Sequence, residues 1–175
     1  MIKYVTAEEM DSGMKDTFTG DDAGSFKKIE LWKPGNHWLM TGDGQDLMKH
    51  DPVVIKKYSD MIYGMGQLQV PHGLKLGVIG AGVFYLQTML MMTRWGQMDT
   101  YEIIPGLKEW NIKRQPDNVM KDWNWIIGDW NKTITGKYDI LIHDADESVV
   151  DKDLLNNHVV SGGVVLIFEQ DGSNR

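Results

Sequence analysis

Hydrophobic and polar positions give the N-terminal part of the chain an extended pattern. Apolar and polar residues roughly alternate from Phe26 to Trp32, the turn sequence Lys33-Pro34-Gly35-Asn36 follows, and Trp38-Leu39-Met40 resumes the alternation. Alternation on both sides of a turn predicts a β-hairpin. The first 25 residues carry clusters of Asp, Gly, Ser and Thr, which predict loops around at most a short strand at Ile2 to Val5.

The periodicity then changes to that of a helix. Asp51-Pro52 is typical of an N-cap followed by proline at the first helical position. One helical face carries the apolar residues Val54, Tyr58, Met61, Ile62 and Met65. The pattern predicts a helix over about 52–65 that is ended by Gly64 and Gly66.

Beyond Pro71, short apolar segments alternate with helical ones. Strands are predicted over residues 74–79, 98–104, 125–127, 138–142 and 163–168. Helices are predicted over residues 84–95 and 151–157. Strands this apolar are typical of a parallel sheet covered on both faces, and the alternation predicts a doubly wound α/β fold.

Composition and charge exclude several classes of function. The chain has 175 residues, enough for one core, and 25 acidic against 18 basic residues give a net charge of −7. Without a run of Lys and Arg to neutralise phosphates, nucleic-acid binding is disfavoured. The absence of cysteine excludes disulfides, thiolate metal ligands and a cysteine nucleophile. The five histidines show no ligand spacing, so no metal is expected.

The chain shows no pattern typical of a membrane protein. Its longest apolar stretch, 83–92, is far shorter than the ~20 residues that a membrane span needs. The N-terminus also lacks the apolar core of a signal peptide. We therefore expect a soluble, cytoplasmic protein without membrane contacts.

The ends of the first two predicted parallel strands carry candidate ligand-binding residues. In a doubly wound sheet, ligands bind beyond the carboxyl ends of the strands. The first strand runs into Gly80-Ala81-Gly82, where the missing β-carbons let the backbone approach a ligand and turn sharply. The second ends at Glu102, 20 residues past Gly82, the spacing at which an acid reaches the hydroxyls of a bound ribose.

The next two strand ends add further polar groups. After the third, Asp129 could accept a hydrogen bond from the amine of adenine, and Trp130 could flank the ring. After the fourth come Asp144, Asp146 and Glu147, where a reacting group would lie. Both sets have plainer explanations, namely a solvated Asp beside a buried Trp and an acidic turn that caps the next helix.

The glycine pattern favours a single nucleoside over a dinucleotide. A Gly-x-Gly-x-x-Gly motif begun at Gly80 and Gly82 would need glycine at position 85, which is Tyr85. Adenosine attached to a sulfonium needs a ribose acid and an adenine acid and brings no pyrophosphate. S-adenosylmethionine (SAM) or a relative is therefore the expected ligand.

Several segments form a recognisable series. Met40-Thr41-Gly42-Asp43-Gly44-Gln45 is close to a Leu-Asp-Gly-x-x-Gln pattern, and Tyr58-Ser59-Asp60-Met61 is close to Tyr-Gln-Glu-Met. The glycine loop, Glu102, a Gly-Asp pair at Asp129 and a Tyr-Asp-Ile-Leu-Ile-x-Asp run ending at Asp144 follow in order. With these motifs, residues 27–147 resemble the spermidine synthase family of polyamine aminopropyltransferases, within the class I SAM-dependent methyltransferase fold.

The resemblance implies a fold and a division of the chain. The fold is a Rossmann-like α/β domain over residues 51–175, with an N-terminal loop and β-hairpin extension over residues 1–50. Its parallel sheet lacks the usual last two strands, and the apolar edge this leaves is expected to favour homo-oligomers.

The resemblance also implies a reaction. An aminopropyl group passes from decarboxylated SAM to a small-molecule amine, with Asp144 as the proton acceptor and Tyr58 assisting. The residues implied to hold the nucleoside are Gln45, Gly80, Gly82, Glu102, Asp129 and Trp130. Asp146 and Glu147 are implied to hold the cationic acceptor.

Two other functions remain open at this point. The position of the family's loop aspartate is Val83 here, and a partner for the donor's cationic tail is lost with it. A small-molecule methyltransferase that uses SAM in the same pocket is one alternative. A nucleoside-binding protein without turnover is the other.

Overall fold

The chain folds into an antiparallel sheet followed by a parallel sheet. The computed structural model describes residues 14–33, 38–50, 52–67, 73–82, 87, 90, 96–113, 123–145 and 150–168. Within these ranges the first sheet has four strands and the second has five. The candidate site lies in the second sheet, and the first packs against one of its helices.

The N-terminal sheet is a meander of β1 (Met14–Thr19), β2 (Lys28–Lys33), β3 (Trp38–Gly42) and β4 (Gln45–His50). A short 3₁₀ helix, Gly20–Ala23, joins β1 to β2. The β3–β4 turn has positive φ at both central residues, 50° at Asp43 and 83° at Gly44, which suits the twist of a two-residue hairpin. The Asp43 carboxylate accepts the backbone N–H of Lys28 at 3.0 Å and so ties this turn to β2.

The predicted hairpin is confirmed as β2 and β3, but the sheet around it is larger than predicted. Residues expected to form a loop make β1, which pairs with β2 along its whole length. The segment shows little alternation, so the cause is pairing with β2 rather than local preference. Trp110 adds a further contact by donating its indole N–H to Asp16 at 2.6 Å. The strand predicted over residues 2–5 falls outside the described residues.

The second part of the chain alternates strands and helices. Its elements are α1 (Pro52–Gln67), β5 (Lys75–Ile79), β6 (Gln97–Glu102), α2 (Pro105–Ile112), β7 (Trp123–Ile127), α3 (Trp130–Thr133), β8 (Tyr138–His143), α4 (Lys152–Asn157) and β9 (Val159–Ile167). The strand order is β7-β6-β5-β8-β9 and each neighbouring pair is parallel. The predicted doubly wound α/β fold is confirmed, and its order reverses between β5 and β8, where such folds bind ligands.

Several element boundaries differ from the prediction. Helix α1 runs to Gln67, so the predicted stop at Gly64 and Gly66 is wrong; Met65, on its last turn, is buried in the core, which offsets the low helix preference of glycine. Strand β6 ends at Glu102, before the predicted boundary at residue 104, since the chain turns there into α2. Of the helix predicted over 84–95, residues 87 and 90 are described and both are helical.

No described helix is both long enough and apolar enough to cross a membrane.

The two sheets share a buried cluster that centres on α2. Residues of β2, β3 and the 3₁₀ helix pack there with Ile104, Leu107 and Trp110. Trp38 of β3 meets Trp110 edge to face, with ring centroids 5.1 Å apart. The N-terminal sheet thereby holds the helix that follows Glu102, the predicted ribose acid.

We predict that Leu107→Ala lowers the free energy of unfolding by about 2–5 kcal/mol, because it leaves a cavity at a fully buried position between the sheets. Urea unfolding followed by circular dichroism measures the change. The control is Ile112→Ala on the same helix, whose side chain is 40% exposed and whose replacement should change stability by less than about 0.5 kcal/mol. Equal losses in the two variants would contradict the role given to this cluster.

Candidate functional site

A glycine bend leads out of β5 at the point where the strand order reverses. Gly80 and Gly82 have φ values of 91° and 48°, a region that side chains other than glycine rarely adopt. A β-carbon at Gly80 would lie 2.4 Å from the carbonyl oxygen of Asp144. The bend therefore passes directly beside the end of β8, and position 80 has no room for a side chain.

The Glu102 carboxylate lies beside this bend and is 5% exposed. Its Oε2 accepts the backbone N–H groups of Ala81 at 2.9 Å and Gly82 at 3.3 Å, and its Oε1 accepts that of Ile104 at 2.9 Å. Burial raises the pKa of Glu102, and these N–H donors act in the opposite direction. Glu102 thus lies at the bend with its oxygens directed at backbone N–H groups, and its contact with a ribose stays a prediction.

Two buried amide side chains also contact the bend. Gln87 donates from Nε2 to the carbonyl of Gly80 at 2.8 Å, and Asn111 of α2 donates from Nδ2 to the carbonyl of Gly82 at 3.0 Å. The sequence reasoning missed both residues. Gln87 stands next to Thr88, and Asn111 lies in the mixed segment Lys108-Glu109-Trp110-Asn111-Ile112-Lys113, so neither sequence context separates a buried amide from an exposed one.

Asp144 and Tyr58 meet on the other side of the bend, although 86 positions separate them in the chain. The Tyr58 hydroxyl donates to Asp144 Oδ2 at 2.7 Å. Tyr58 is 1% exposed on α1, and its ring meets Phe168 edge to face. The structure therefore brings together the two residues for which the resemblance implies catalysis.

Burial changes the acid–base properties of this pair. It raises the pKa of Asp144 to about 7, and the hydrogen bond from Tyr58 acts against this rise. Burial, followed by the Asp144 charge, raises the pKa of Tyr58, so its hydroxyl stays protonated and keeps donating. A carboxyl group that titrates near neutrality is suited to exchanging protons with a substrate.

Asp129 and Trp130 follow β7, next to the Glu102 strand. Asp129 caps α3 by accepting the backbone N–H of Asn131 at 3.1 Å, and it pairs with Lys132 at 3.1 Å. The Lys132 and Asn131 contacts lower the pKa of Asp129. Trp130 is buried and meets His143 edge to face. These contacts match the plainer explanation of the pair, and contact with adenine stays a prediction.

The remaining predicted residues lie elsewhere or outside the described ranges. Gln45 is exposed at the start of β4, and none of the described contacts joins it to the glycine bend. Asp146 and Glu147 fall outside the described residues. Across the parts of the chain that are described, no group of three His, Asp or Glu could hold a metal ion.

A cavity of about 290 Å³ lies between the N-terminal sheet and α2. Its lining includes Asp16, Asp22, Glu109 and Trp110, and none of the predicted site residues takes part. We place the candidate site at the glycine bend and Asp144 and not at this cavity, because a cavity by itself supplies neither a proton acceptor nor a turn that a nucleoside could approach.

Comparison with known proteins reveals similarity in fold alone. No protein-family model and no curated protein matches the chain. Among solved structures, the glycopeptide N-methyltransferase MtfA complexed with SAM superposes with a TM-score of 0.52 at 16% identity, over 65% of this chain and 53% of that chain. A SAM-dependent methyltransferase from Thiobacillus denitrificans in complex with S-adenosyl-L-homocysteine superposes with a TM-score of 0.53 at 15% identity, over 64% of this chain and 47% of that chain.

A third neighbour is coclaurine N-methyltransferase bound to N-methylheliamine and SAH, with a TM-score of 0.52 at 12% identity over 62% of this chain and 34% of that chain. The chain therefore spans between about a third and about half of the length of these neighbours. The comparisons establish a Rossmann-like class I methyltransferase fold. They do not single out the aminopropyltransferase subfamily, which stays a prediction.

We predict that Tyr58→Phe raises the pKa of Asp144 further above its ordinary range, because the variant removes the hydroxyl that stabilises the carboxylate. The carboxyl ¹³C chemical shift of Asp144, followed against pH, measures the change. The matched control is Tyr63→Phe, on the same helix but 71% exposed, which should leave the titration unchanged. An unchanged Asp144 titration in Tyr58→Phe would refute the coupling.

Proposed function

We propose that this protein is a SAM-dependent methyltransferase that acts on an amine of a small molecule. The observation that carries the proposal is the Tyr58–Asp144 pair beside the glycine bend, which supplies a partly buried carboxyl group with a pKa of about 7. The fold supports the choice of donor. Two neighbours are described as N-methyltransferases, and this favours an amine as the acceptor.

The described residues fit the nucleoside part of such a donor. Gly80 and Gly82 leave the bend without side chains, so that adenosine can approach its backbone. Glu102 ends β6 and Asp129 follows β7, so both lie at the carboxyl ends of neighbouring parallel strands. We assign Glu102 to the ribose and Asp129 to the adenine. Because Glu102 already accepts three backbone N–H groups, the ribose hydroxyls would share its oxygens with the bend.

The reaction needs little from the protein beyond positioning and proton removal. The amine nitrogen bonds to the methyl carbon, the carbon–sulfur bond breaks, and its electron pair stays on sulfur, leaving S-adenosylhomocysteine. The donor's positive sulfur already activates the methyl group. A protonated amine has no free lone pair and cannot attack, so Asp144 binds the ammonium and accepts its proton before the nitrogen–carbon bond forms. The Tyr58 hydroxyl holds the carboxylate in place for this transfer.

Charge assists the encounter with an amine. The net charge of −7 attracts cations, and the partly buried position of Asp144 strengthens its attraction for an ammonium group over that of an exposed acid.

Aminopropyl transfer is a second candidate. Tyr58 and Asp144 come from two separate segments that resemble the aminopropyltransferases, and their hydrogen bond supports a common role. In that reaction the amine attacks the aminopropyl carbon of decarboxylated SAM, and methylthioadenosine leaves. Val83, where that family carries an aspartate, lies outside the described residues.

Product analysis distinguishes the candidates. The full chain is incubated with SAM and, separately, with decarboxylated SAM, each with a panel of amines that includes putrescine. Amine-dependent formation of S-adenosylhomocysteine is the expected result, whereas methylthioadenosine would favour aminopropyl transfer. Nucleoside binding without product from either donor would indicate a binding protein without turnover. Absence of both binding and product would overturn the proposed function.

We predict that Asp144→Asn leaves the affinity for S-adenosylhomocysteine nearly unchanged and lowers turnover by about 10²–10⁴-fold, the usual contribution of a general base. Calorimetry and product formation measure the two quantities. The control is Asp139→Asn, the same substitution at the opposite end of β8, where the side chain accepts the backbone N–H of Lys75. Parallel losses of binding and turnover in Asp144→Asn would argue against a role as proton acceptor.

A further inference from the structure

The two buried amides at the glycine bend carry an inference beyond the proposed chemistry. Gln87 is 1% exposed and Asn111 is fully buried. They reach the bend from different parts of the chain, since Gln87 follows it and Asn111 lies on α2 after β6. Gln87 contacts the carbonyl of Gly80, and Asn111 contacts the carbonyl of Gly82.

The chemistry of the partner decides how each amide is oriented. A backbone carbonyl oxygen accepts hydrogen bonds and cannot donate them, so the amide atom next to it must be the NH₂ group. The amide oxygens then point away from these carbonyls. Neither Gln87 Oε1 nor Asn111 Oδ1 has a hydrogen-bond partner among the described residues, and both are buried.

Among the described residues each of these oxygens is a buried acceptor without a partner, which lowers stability, and the two lie at one bend. An apolar side chain of similar shape would remove the buried amide oxygen, although it would also take the donor from the glycine carbonyl. A buried polar group that does not improve stability calls for another explanation, and selection for function is one. The two amides fix the positions of the carbonyl groups of Gly80 and Gly82.

Together with Glu102, the amides restrict a segment that glycine would otherwise leave free. The N–H groups of Ala81 and Gly82 donate to Glu102, and the N–H of Gly80 donates to the carbonyl of Tyr101. The carbonyls of both glycines accept from the amides. A glycine-rich bend has many accessible conformations, and contacts from three elements select one of them.

We propose that Gln87 and Asn111 are positioning residues that keep the bend in its nucleoside-binding conformation. This inference rests on the proposed function, because it takes the bend to be the nucleoside site. The apparent dissociation constant equals the intrinsic constant divided by the fraction of molecules in the competent conformation. Loss of either amide lowers that fraction, so it weakens donor binding and leaves the chemical step at Asp144 unaffected.

The test uses the full chain with Gln87→Met and Asn111→Leu, substitutions that keep the approximate shape and remove the donor. S-adenosylhomocysteine is the probe, measured by calorimetry, and thermal unfolding is recorded alongside. We expect the dissociation constant to rise at least fivefold in each variant, with an unfolding midpoint close to that of wild type, because removal of the buried amide oxygen offsets the lost hydrogen bond to the carbonyl. KM for the donor should rise by a similar factor at unchanged kcat. The double variant should lose less than the product of the two factors, because both residues act on one bend.

The control is Asn124→Leu, at an exposed amide on β7 that bonds Asp99, which should leave binding unchanged. Wild-type protein that fails to bind the probe would overturn the proposed function itself. Normal binding by wild type with affinities within twofold in both variants would overturn only the positioning role. A variant that unfolds, or that loses affinity in step with its unfolding midpoint, would show that the amides serve stability and would also overturn it.

Discussion

The arrangement of the site depends on one buried carboxylate, that of Glu102, and on the backbone N–H groups that it accepts. Its Oε2 bonds the glycine bend after β5, and its Oε1 bonds Ile104 at the start of α2. A carboxylate taken out of water is costly unless several donors surround it, so the bend and the helix start must both stay close to it. Because α2 also packs against the N-terminal sheet through Leu107 and Trp110, the position of that sheet is linked to the geometry of the bend.

A steric constraint applies where the glycine bend passes the end of β8. A β-carbon at Gly80 would collide with the carbonyl of Asp144, so the bend after β5 can lie this close to the end of β8 only as glycine. The backbone N–H of Asp144 bonds the carbonyl of Ile79, the last residue of β5, at 2.8 Å. The carboxyl group whose pKa burial raises to about 7 therefore belongs to a residue whose backbone lies directly beside the bend.

Asp144 and Tyr58 are not the only described residues whose pKa is shifted by burial. The hydroxyls of Tyr101 and Tyr138 lie 2.5 Å apart, and Tyr138 also bonds Asp99, which pairs with Lys75. Burial raises the pKa of both tyrosines. Lys75 and Tyr138 are the first residues of their strands, so these two members lie at the amino ends, opposite the edge where doubly wound sheets bind ligands. Tyr101 joins them from the next-to-last position of β6. Position in the topology, together with the glycine bend, is what distinguishes Asp144 from these groups.

The sequence by itself determined the α/β class, the order of the parallel strands along the chain, and the candidate acids at their ends, because strands buried on both faces are continuous apolar segments and amphipathic helices show a period of 3.6 residues. Packing alone decided the rest. Strand β1 exists because β2 offers a partner, although its own residues resemble a loop. Gln87 and Asn111 have no distinguishing sequence pattern, and only the fold brings their amides to the two glycine carbonyls. Local patterns report which face of an element is buried, whereas a hydrogen bond between distant residues depends on how the elements pack together.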